Sequence, residues 1–572
     1  MQEQGHRECS LIHPRIRPII AEDRQVPHGL TVVLMCRCDG KPFLLVLSGI
    51  ERGDFDIETS CVTVGELRNQ QRTGTANLIW ESPKREGTRG DGAGAAEGMP
   101  GQTRQEASDE QTVDGGMGNG IGGGNLPAGM GAKPSGPLPP GRSAFGRLRA
   151  GAAKVAITPT SPVWMGGWGE NRMMEGVHDG VWARALYLTD GQTQLVLVGL
   201  DLVGLMKTDQ APILEAVASE VGTNVFMTNT HTHSGPDVIG LWGPDEETPG
   251  WDADYIAYAQ GRIIEAILQA KANAEPAKLY CGSAMTTPED RIAWNADDRW
   301  FQVDSPPWEP GRGRGPQDYE VAVMRVAARQ EGEGAAPRTI ATVFNFACHP
   351  EVAGGNHEDM TVWKYISSDI GNYAYDQVEQ AVGGITIWLQ GGCGAMVTVD
   401  IPSSERNWTS CERIGRALGD RILEGVAGAD LERNPQIACA TTELNVPLYN
   451  VYLYYGMLTG LVRSGPGRLA DNSDSPIGQG VLTRVSMIRI GELQLACTPG
   501  EIYPKIALNI KQSILSAPHR MVLGLCQDEL GYILYPADYG TSEYEYETSM
   551  SVGPTIGLAV EAGLQEALAN LP

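Results

Sequence analysis

Apolar runs of strand length punctuate the chain from about residue 148 onward, and most are followed by a polar or glycine-rich cluster and then by a stretch with helical spacing. QLVLVGLDLVGL reads as a buried strand that runs into a helix over 208–221, and NVFMTNTHTH as a second strand extended through its histidines. The next helix is predicted over 253–273. TIATVFNFACHP, GITIWLQGG, SMIRIGELQLACTPGE and MVLGLCQDELGYIL read as further strands, with helices near 368–383 and 409–426. Strands alternating with helices predict an α/β domain over 146–572, with mixed β-sheet at its centre and helices outside. Each strand ends in a polar cluster, and loops at strand ends are where such folds usually build their sites.

Upstream the pattern changes twice. GLTVVLMCRC and KPFLLVLSGI flank Asp39-Gly40, a dipeptide that favours a hairpin turn, so residues 1–86 are predicted to be a small β-rich segment. Over 87–145 the chain becomes Gly, Pro, Ala and Ser with few aromatics, too little apolar surface to offset ordering entropy. A disordered, flexible Gly/Pro-rich linker is predicted there, and it accounts for much of the excess of 72 glycines.

Composition narrows the function classes. A hydrophobic share of 41% and a charged share of 20% are those of a soluble globular protein, and 572 residues exceed one ordinary core. The net charge of -26 repels phosphate backbones and anionic membrane surfaces, so no nucleic-acid partner is expected. No apolar stretch is long enough for a transmembrane segment, and MQEQGHRECSLIHPRIRPII has no continuous apolar region of the kind a signal peptide needs. The 11 cysteines are odd in number and lack paired CxxC spacing. A reducing, cytoplasmic location is the expectation, secretion remaining open if the start lies elsewhere.

Nine histidines are few for this length, and His231 and His233 fall together after an apolar strand. Residues two apart on an extended chain share a face, so the pair can converge on one ion or one substrate. His349 closes FNFACHP in the same kind of position, and neutral imidazole is a common zinc ligand. Asp201 interrupts the most apolar strand and needs a partner, either a ligand histidine or a structural donor; the same holds for Asp369.

Asn229-Thr230-His231-Thr232-His233-Ser234-Gly235-Pro236 resembles the THTHSGP segment of the neutral and alkaline ceramidases. Four further stretches resemble that family in order: AKVAITPT with GVHDGVWARALYL, NFACHP with SSDIGNYA, CTPGE, and LCQDELGYILYPADYGTSEYEYETSMSVGP. Together they cover about 148–572, which is far more specific than any one motif. The resemblance implies a zinc-dependent amidohydrolase with Zn2+ held by His231, His349, Glu501 and Tyr532. It further implies that His233, Arg291, Tyr532 and Tyr544 line the site around the scissile amide. Read without it, Glu501 could be a solvated carboxylate, the tyrosines packing aromatics, and Arg291 a surface ion-pair partner.

The pattern departs from the family at one place. Where the resemblance calls for an aspartate followed by a serine near the scissile group, this chain has Ala395 and then Val397 or Thr398. The expected substrate is an N-acyl compound, ceramide or another small-molecule or lipid-like amide. A different small ester, amide or sugar-derived substrate, or ligand binding without turnover, remains open at this stage. An apolar groove above the metal would favour the lipid, a closed polar pocket the alternative.

Overall fold

A computed structural model of the chain describes residues 9–11, 32–38, 41–47, 60–63, 148–295, 317–329, 337–398 and 403–572. The chain divides into two compact units, 1–137 and 138–572. In the first, four strands form an antiparallel sheet in sequential order, and Val32–Cys38 pairs with Lys41–Leu47 across the Asp39-Gly40 position, as the hairpin signal predicts. The linker predicted over 87–145 lies outside the described residues.

The second unit is α/β with mixed sheets and flanking helices, the predicted class. Its main sheet has nine strands. Along it run Ile385–Gln390, Thr339–Phe346, Glu320–Ala328, Glu275–Met285, Arg149–Ala156, Trp182–Thr189, Gln194–Leu200 and Val225–Asn229. The pair at each end is parallel and the central pairs are antiparallel. A second mixed sheet of five strands contains Ile437–Pro447, Gln479–Ile490, Leu493–Cys497 and His519–Leu523, the last two parallel.

Alternation along the strands sorts their side chains onto two buried faces. Leu195, Leu197 and Phe226 point inward to one core, together with Val343, Leu389 and Leu495 from the other end of the sheet and from the second sheet. Val196, Val198 and Met227 face outward against the helices Lys207–Val221 and Ala253–Ala272. Phe344, Phe346 and Trp388 face outward against Ile370–Val382 and Trp408–Ala427. Burial on both faces is why these strands read as continuous apolar runs instead of an alternating pattern.

SMIRIGELQLACTPGE departs from the single-strand reading. Gly491, at a φ of 60°, turns the chain between Gln479–Ile490 and Leu493–Cys497, which pair as a hairpin. NVFMTNTHTH departs as well: the strand stops at Asn229, and His231 adopts a φ of 65°. The His231 N–H donates to the Leu202 carbonyl, so the backbone leaves its own strand to follow the neighbouring one.

Gly199 marks where the two ends of the main sheet meet, because a Cβ there would lie 2.6 Å from the Trp388 carbonyl oxygen. Only a residue without a side chain permits that approach. Gly199→Ala is expected to destabilise the unit by about 2 kcal/mol through overpacking against backbone, read as a lower urea midpoint with an unchanged slope.

Candidate metal and catalytic site

Four strand ends deliver the site. His231 follows Val225–Asn229, His349 follows Thr339–Phe346, Glu501 follows Leu493–Cys497, and Tyr532 follows His519–Leu523. The loops are held in register by hydrogen bonds between the sheets. Thr228 Oγ1 donates to the Gly524 carbonyl at 2.7 Å, and Asn345 Nδ2 to the Val522 carbonyl at 3.0 Å. The fully buried amide of Gln390 donates to the carbonyls of Thr230, at 2.6 Å, and Cys348, at 2.8 Å. These are the peptides just before His231 and His349, so one side chain spaces both histidines.

The imidazoles of His231, His233 and His349 then converge, with ring centroids 4.9, 4.6 and 5.4 Å apart. All are buried. His231 Nδ1 lies 2.5 Å from the Val203 carbonyl and His349 Nδ1 lies 2.9 Å from that of Met396. A carbonyl only accepts, so each Nδ1 carries the proton and donates it, leaving both Nε2 lone pairs to face inward. There they meet Glu501 Oε2, 3.5 Å from His231 Nε2 and 3.1 Å from His349 Nε2. Glu501 is paired in parallel with Tyr532 through short strands, and the Tyr532 hydroxyl donates to its carboxylate.

The electrostatics follow from this crowding. Burial, with the neighbouring His349 adding to it, lowers His231 to about 4 against the pull of Glu501, and burial drives His233 well below its usual value. For His349 burial also works downward, but the bond to Glu501 outweighs it and the net direction is up. Burial alone would raise Glu501; the facing histidines reverse it, and its pKa is lowered. Burial and then the Glu501 charge hold Tyr532 well above an ordinary phenol.

A carboxylate oxygen and two inward lone pairs this close repel one another unless a proton or a cation sits among them. Two imidazole nitrogens fixed by carbonyls through their other nitrogen, and a carboxylate fixed by a phenol, form a donor set suited to a divalent ion such as Zn2+. His233 and Cys393 are further donors within reach: the ligand atoms of His231, His233 and His349, and those of His349, Cys393 and Glu501, lie within 4.8 Å of one another. Cys393 is a donor that the sequence did not single out, hidden in a glycine-rich run with no ligand spacing.

His233 packs edge-on to Trp168, and its Nδ1 stands 3.9 Å from Glu351 Oε2. The fully buried Arg172, lowered to about 9 by burial, donates to the carbonyls of Gly166, His233 and Trp363 and so ties the His233 loop to two others.

A cavity opens on the cluster, with His231, Glu501, Tyr532, Arg463 and Arg468 in its wall beside aliphatic side chains such as Met206, Ile239, Leu453 and Val462. Tyr546 lines it too, edge-on to Tyr532 at 5.9 Å. Tyr544 instead packs against Tyr503, with Lys505 over its ring. Arg291 is exposed, with a φ of 49°, just before the strand Ala293–Asn295, which pairs with Met396–Thr398 beside His349. Neither Tyr544 nor Arg291 lines the cavity. Met396 supplies its carbonyl to His349, so the segment that departs from the family's aspartate and serine positions a histidine through its backbone.

Asp201 resolves as a structural carboxylate. It accepts from the Trp182 N–H at 3.0 Å, the Ser368 hydroxyl at 2.9 Å and the Tyr375 hydroxyl at 3.0 Å. Asp369 accepts from the N–H groups of Ala353 and Ile370. The second partners of the two histidines are main-chain carbonyls.

The strand ends of this α/β domain thus gather buried histidines and a glutamate, a group that could hold a metal ion, beside a cavity. Residues 149–384 match the family described as neutral/alkaline non-lysosomal ceramidase, N-terminal, the family that the sequence motifs resemble. Two solved structures share the fold: a neutral ceramidase from Pseudomonas aeruginosa and a ceramidase complexed with C2. Each is 17% identical with a TM-score of 0.57; the match covers 74% of this chain and 74% and 75% of theirs. No curated protein matches the sequence. Among the described residues no helix is long and apolar enough to cross a membrane.

Burial raises both Asp201 and Asp369 to about 6. A folded-state pKa above the unfolded one means that the native protein holds protons the unfolded chain has released. The resulting stability is complete below about pH 4 and is lost as the pH rises through about 6. Asp201→Asn is expected to remove its share of that decline, at most about 3 kcal/mol between pH 4 and 7, seen as a shallower slope in urea unfolding across a pH series.

Proposed function

We propose that this protein is a zinc-dependent amidohydrolase that cleaves the N-acyl bond of a lipid-like amide, ceramide being the type. The observation that carries the reading is a cavity, partly walled by aliphatic side chains, that is continuous with His231, Glu501 and Tyr532. The Met, Leu, Ile and Val side chains in its wall suit an alkyl chain, and the polar groups gathered beside them suit an amide. A carbonyl at the head of that chain would lie beside the imidazoles.

In this reading His231, His349 and Glu501 hold the ion, with Tyr532 as its fourth partner. Bound zinc lowers the pKa of water from about 15.7 to near 7 and polarises a carbonyl. The protein groups do the remaining work. Glu501 and the two imidazoles would be held unprotonated by a bound ion. Burial holds the His233 imidazole neutral, and a proton it takes up at the ring is readily passed to a leaving amine, with the Glu351 carboxylate steadying the charge. The Tyr546 hydroxyl, in the cavity wall beside Tyr532 and held above an ordinary phenol, stays protonated and so is available to donate to a carbonyl oxygen as it gains charge. Tyr544 supports this group from behind through Tyr503, and Arg291 acts at the margin of the segment carrying Met396.

Elemental analysis of the purified full chain is expected to find about one zinc per molecule, and His349→Ala and Glu501→Ala to lose it together with hydrolysis of a fluorogenic N-acyl sphingosine. Shortening the acyl chain should raise KM. Bound zinc with turnover of small polar esters only would replace the lipid reading; a protein without zinc and with full activity would end the metal mechanism.

A further inference from the structure

The strand Ile385–Gln390 is the parallel neighbour of Thr339–Phe346, so it ends on the same side of the main sheet as the strand before His349. The turn after it carries Cys393. Glycines on either side let this turn press against the chain at and beyond Glu501: a Cβ at Gly394 would lie 2.6 Å from the Glu501 carbonyl oxygen, and one at Gly392 would lie 2.5 Å from Ala507 Cβ. The Gly394 N–H donates to the Ile502 carbonyl at 3.0 Å. The turn then closes on itself, the Met396 N–H donating to the Cys393 carbonyl at 2.9 Å, and Met396 in its turn offers the carbonyl that holds His349 Nδ1. One short turn thus fixes a thiol and the orientation of a histidine together. The Cys393 sulfur, a nitrogen of His349 and a carboxylate oxygen of Glu501 all lie within 4.8 Å of one another.

A buried reduced cysteine ordinarily behaves as a small apolar side chain. Cys281, Cys497 and Cys526 do so in the core between the two sheets, and Cys348 and Cys411 do so beneath the helices Ile370–Val382 and Trp408–Ala427. Cys393 is fully buried yet belongs to none of the apolar cores formed by the described residues. Its neighbours are instead an imidazole and a carboxylate. Charge balance gives such a sulfur a use. A divalent ion held by neutral imidazoles and one carboxylate keeps a positive charge, and an uncompensated charge in a buried site is costly. A thiolate donor cancels it, and soft sulfur is a favoured ligand of zinc.

We propose that Cys393 is a sulfur ligand of the metal centre, joining His349 and Glu501 on the ion, so that the donor set of this chain is nitrogen, oxygen and sulfur. The inference rests on the metal reading of the site and deepens it. On binding, the S–H bond is lost, its proton passes to solvent and the sulfur lone pair goes to the metal, with no change of oxidation state.

The test loads the full chain with Co2+ in place of zinc and records its absorption spectrum. Protein-bound Co2+ shows ligand-field bands in the visible whatever its donors, whereas a thiolate adds an intense sulfur-to-cobalt charge-transfer band in the near ultraviolet. The wild-type protein is expected to show both. Cys393→Ser should lose the charge-transfer band while keeping the visible bands and about one cobalt per chain by elemental analysis. Cys348→Ala, which removes the thiol next to His349, should keep both. Visible bands without charge transfer in the wild-type protein would overturn the proposal and leave the metal reading standing, and this outcome is readable even if a variant fails to fold. A charge-transfer band that survives in Cys393→Ser would overturn it as well. A wild-type protein that binds no cobalt would overturn both the proposal and the metal reading.

Discussion

The arrangement on which the domain depends is a buried carboxylate facing two imidazole lone pairs. Glu501 Oε2 lies within hydrogen-bonding distance of His349 Nε2 and slightly farther from His231 Nε2, and all three residues are almost fully buried. Such a cluster is unstable in isolation, since the charge must be desolvated and the lone pairs repel. It persists because its members cannot rotate away. Each Nδ1 is pinned by a carbonyl, Glu501 is held by backbone pairing with Tyr532, and Gln390 fixes the spacing of the two histidine loops. A rigid scaffold thus maintains donor groups at a separation that favours a cation over any protein rearrangement.

The same constraint explains the topology. Side chains that lie far apart in sequence can meet only if the strands carrying them end at one place, and each of the strands before His231, His349, Glu501 and Tyr532 ends there. One is the last strand at one end of the main sheet, one is next to last at the other end, and two belong to the second sheet. The main sheet must therefore bring its ends together, which the contact at Gly199 allows, and the second sheet must abut it, which the shared core of Leu197, Leu389 and Leu495 achieves. Packing and site geometry are in this sense a single requirement.

Much of this was legible in the residues. Doubly buried strands announce themselves as apolar runs, and the helices were readable to within a few residues, Ala253–Ala272 and Ile370–Val382 among them. What escaped was local backbone geometry. NVFMTNTHTH has no glycine to signal a turn, so the positive φ of His231 is imposed by its bond to Leu202 and is invisible to a pattern reading. The tyrosine-rich stretch has a similar ambiguity: Tyr544 and Tyr546 are two apart, and only the chain path through the short helix Glu545–Ser549 decides that Tyr546 faces the cavity while Tyr544 packs on Tyr503. Gln390 carried no motif at all, because a buried polar side chain declares itself through the groups it meets in space.

The segment around Ala395 shows why a missing motif residue need not dismantle a site. A serine that touches a substrate acts through its side chain and is lost when the residue changes. The Met396 carbonyl that holds His349 belongs to the main chain, and the pairing of Ala293–Asn295 with Met396–Thr398 holds the strand in place whatever side chains it bears. Substitution there can alter what is bound without releasing the histidine. Separation of the two tasks, backbone for holding the donor cluster and side chains for contacting what enters the cavity, lets a domain keep the first while the second changes.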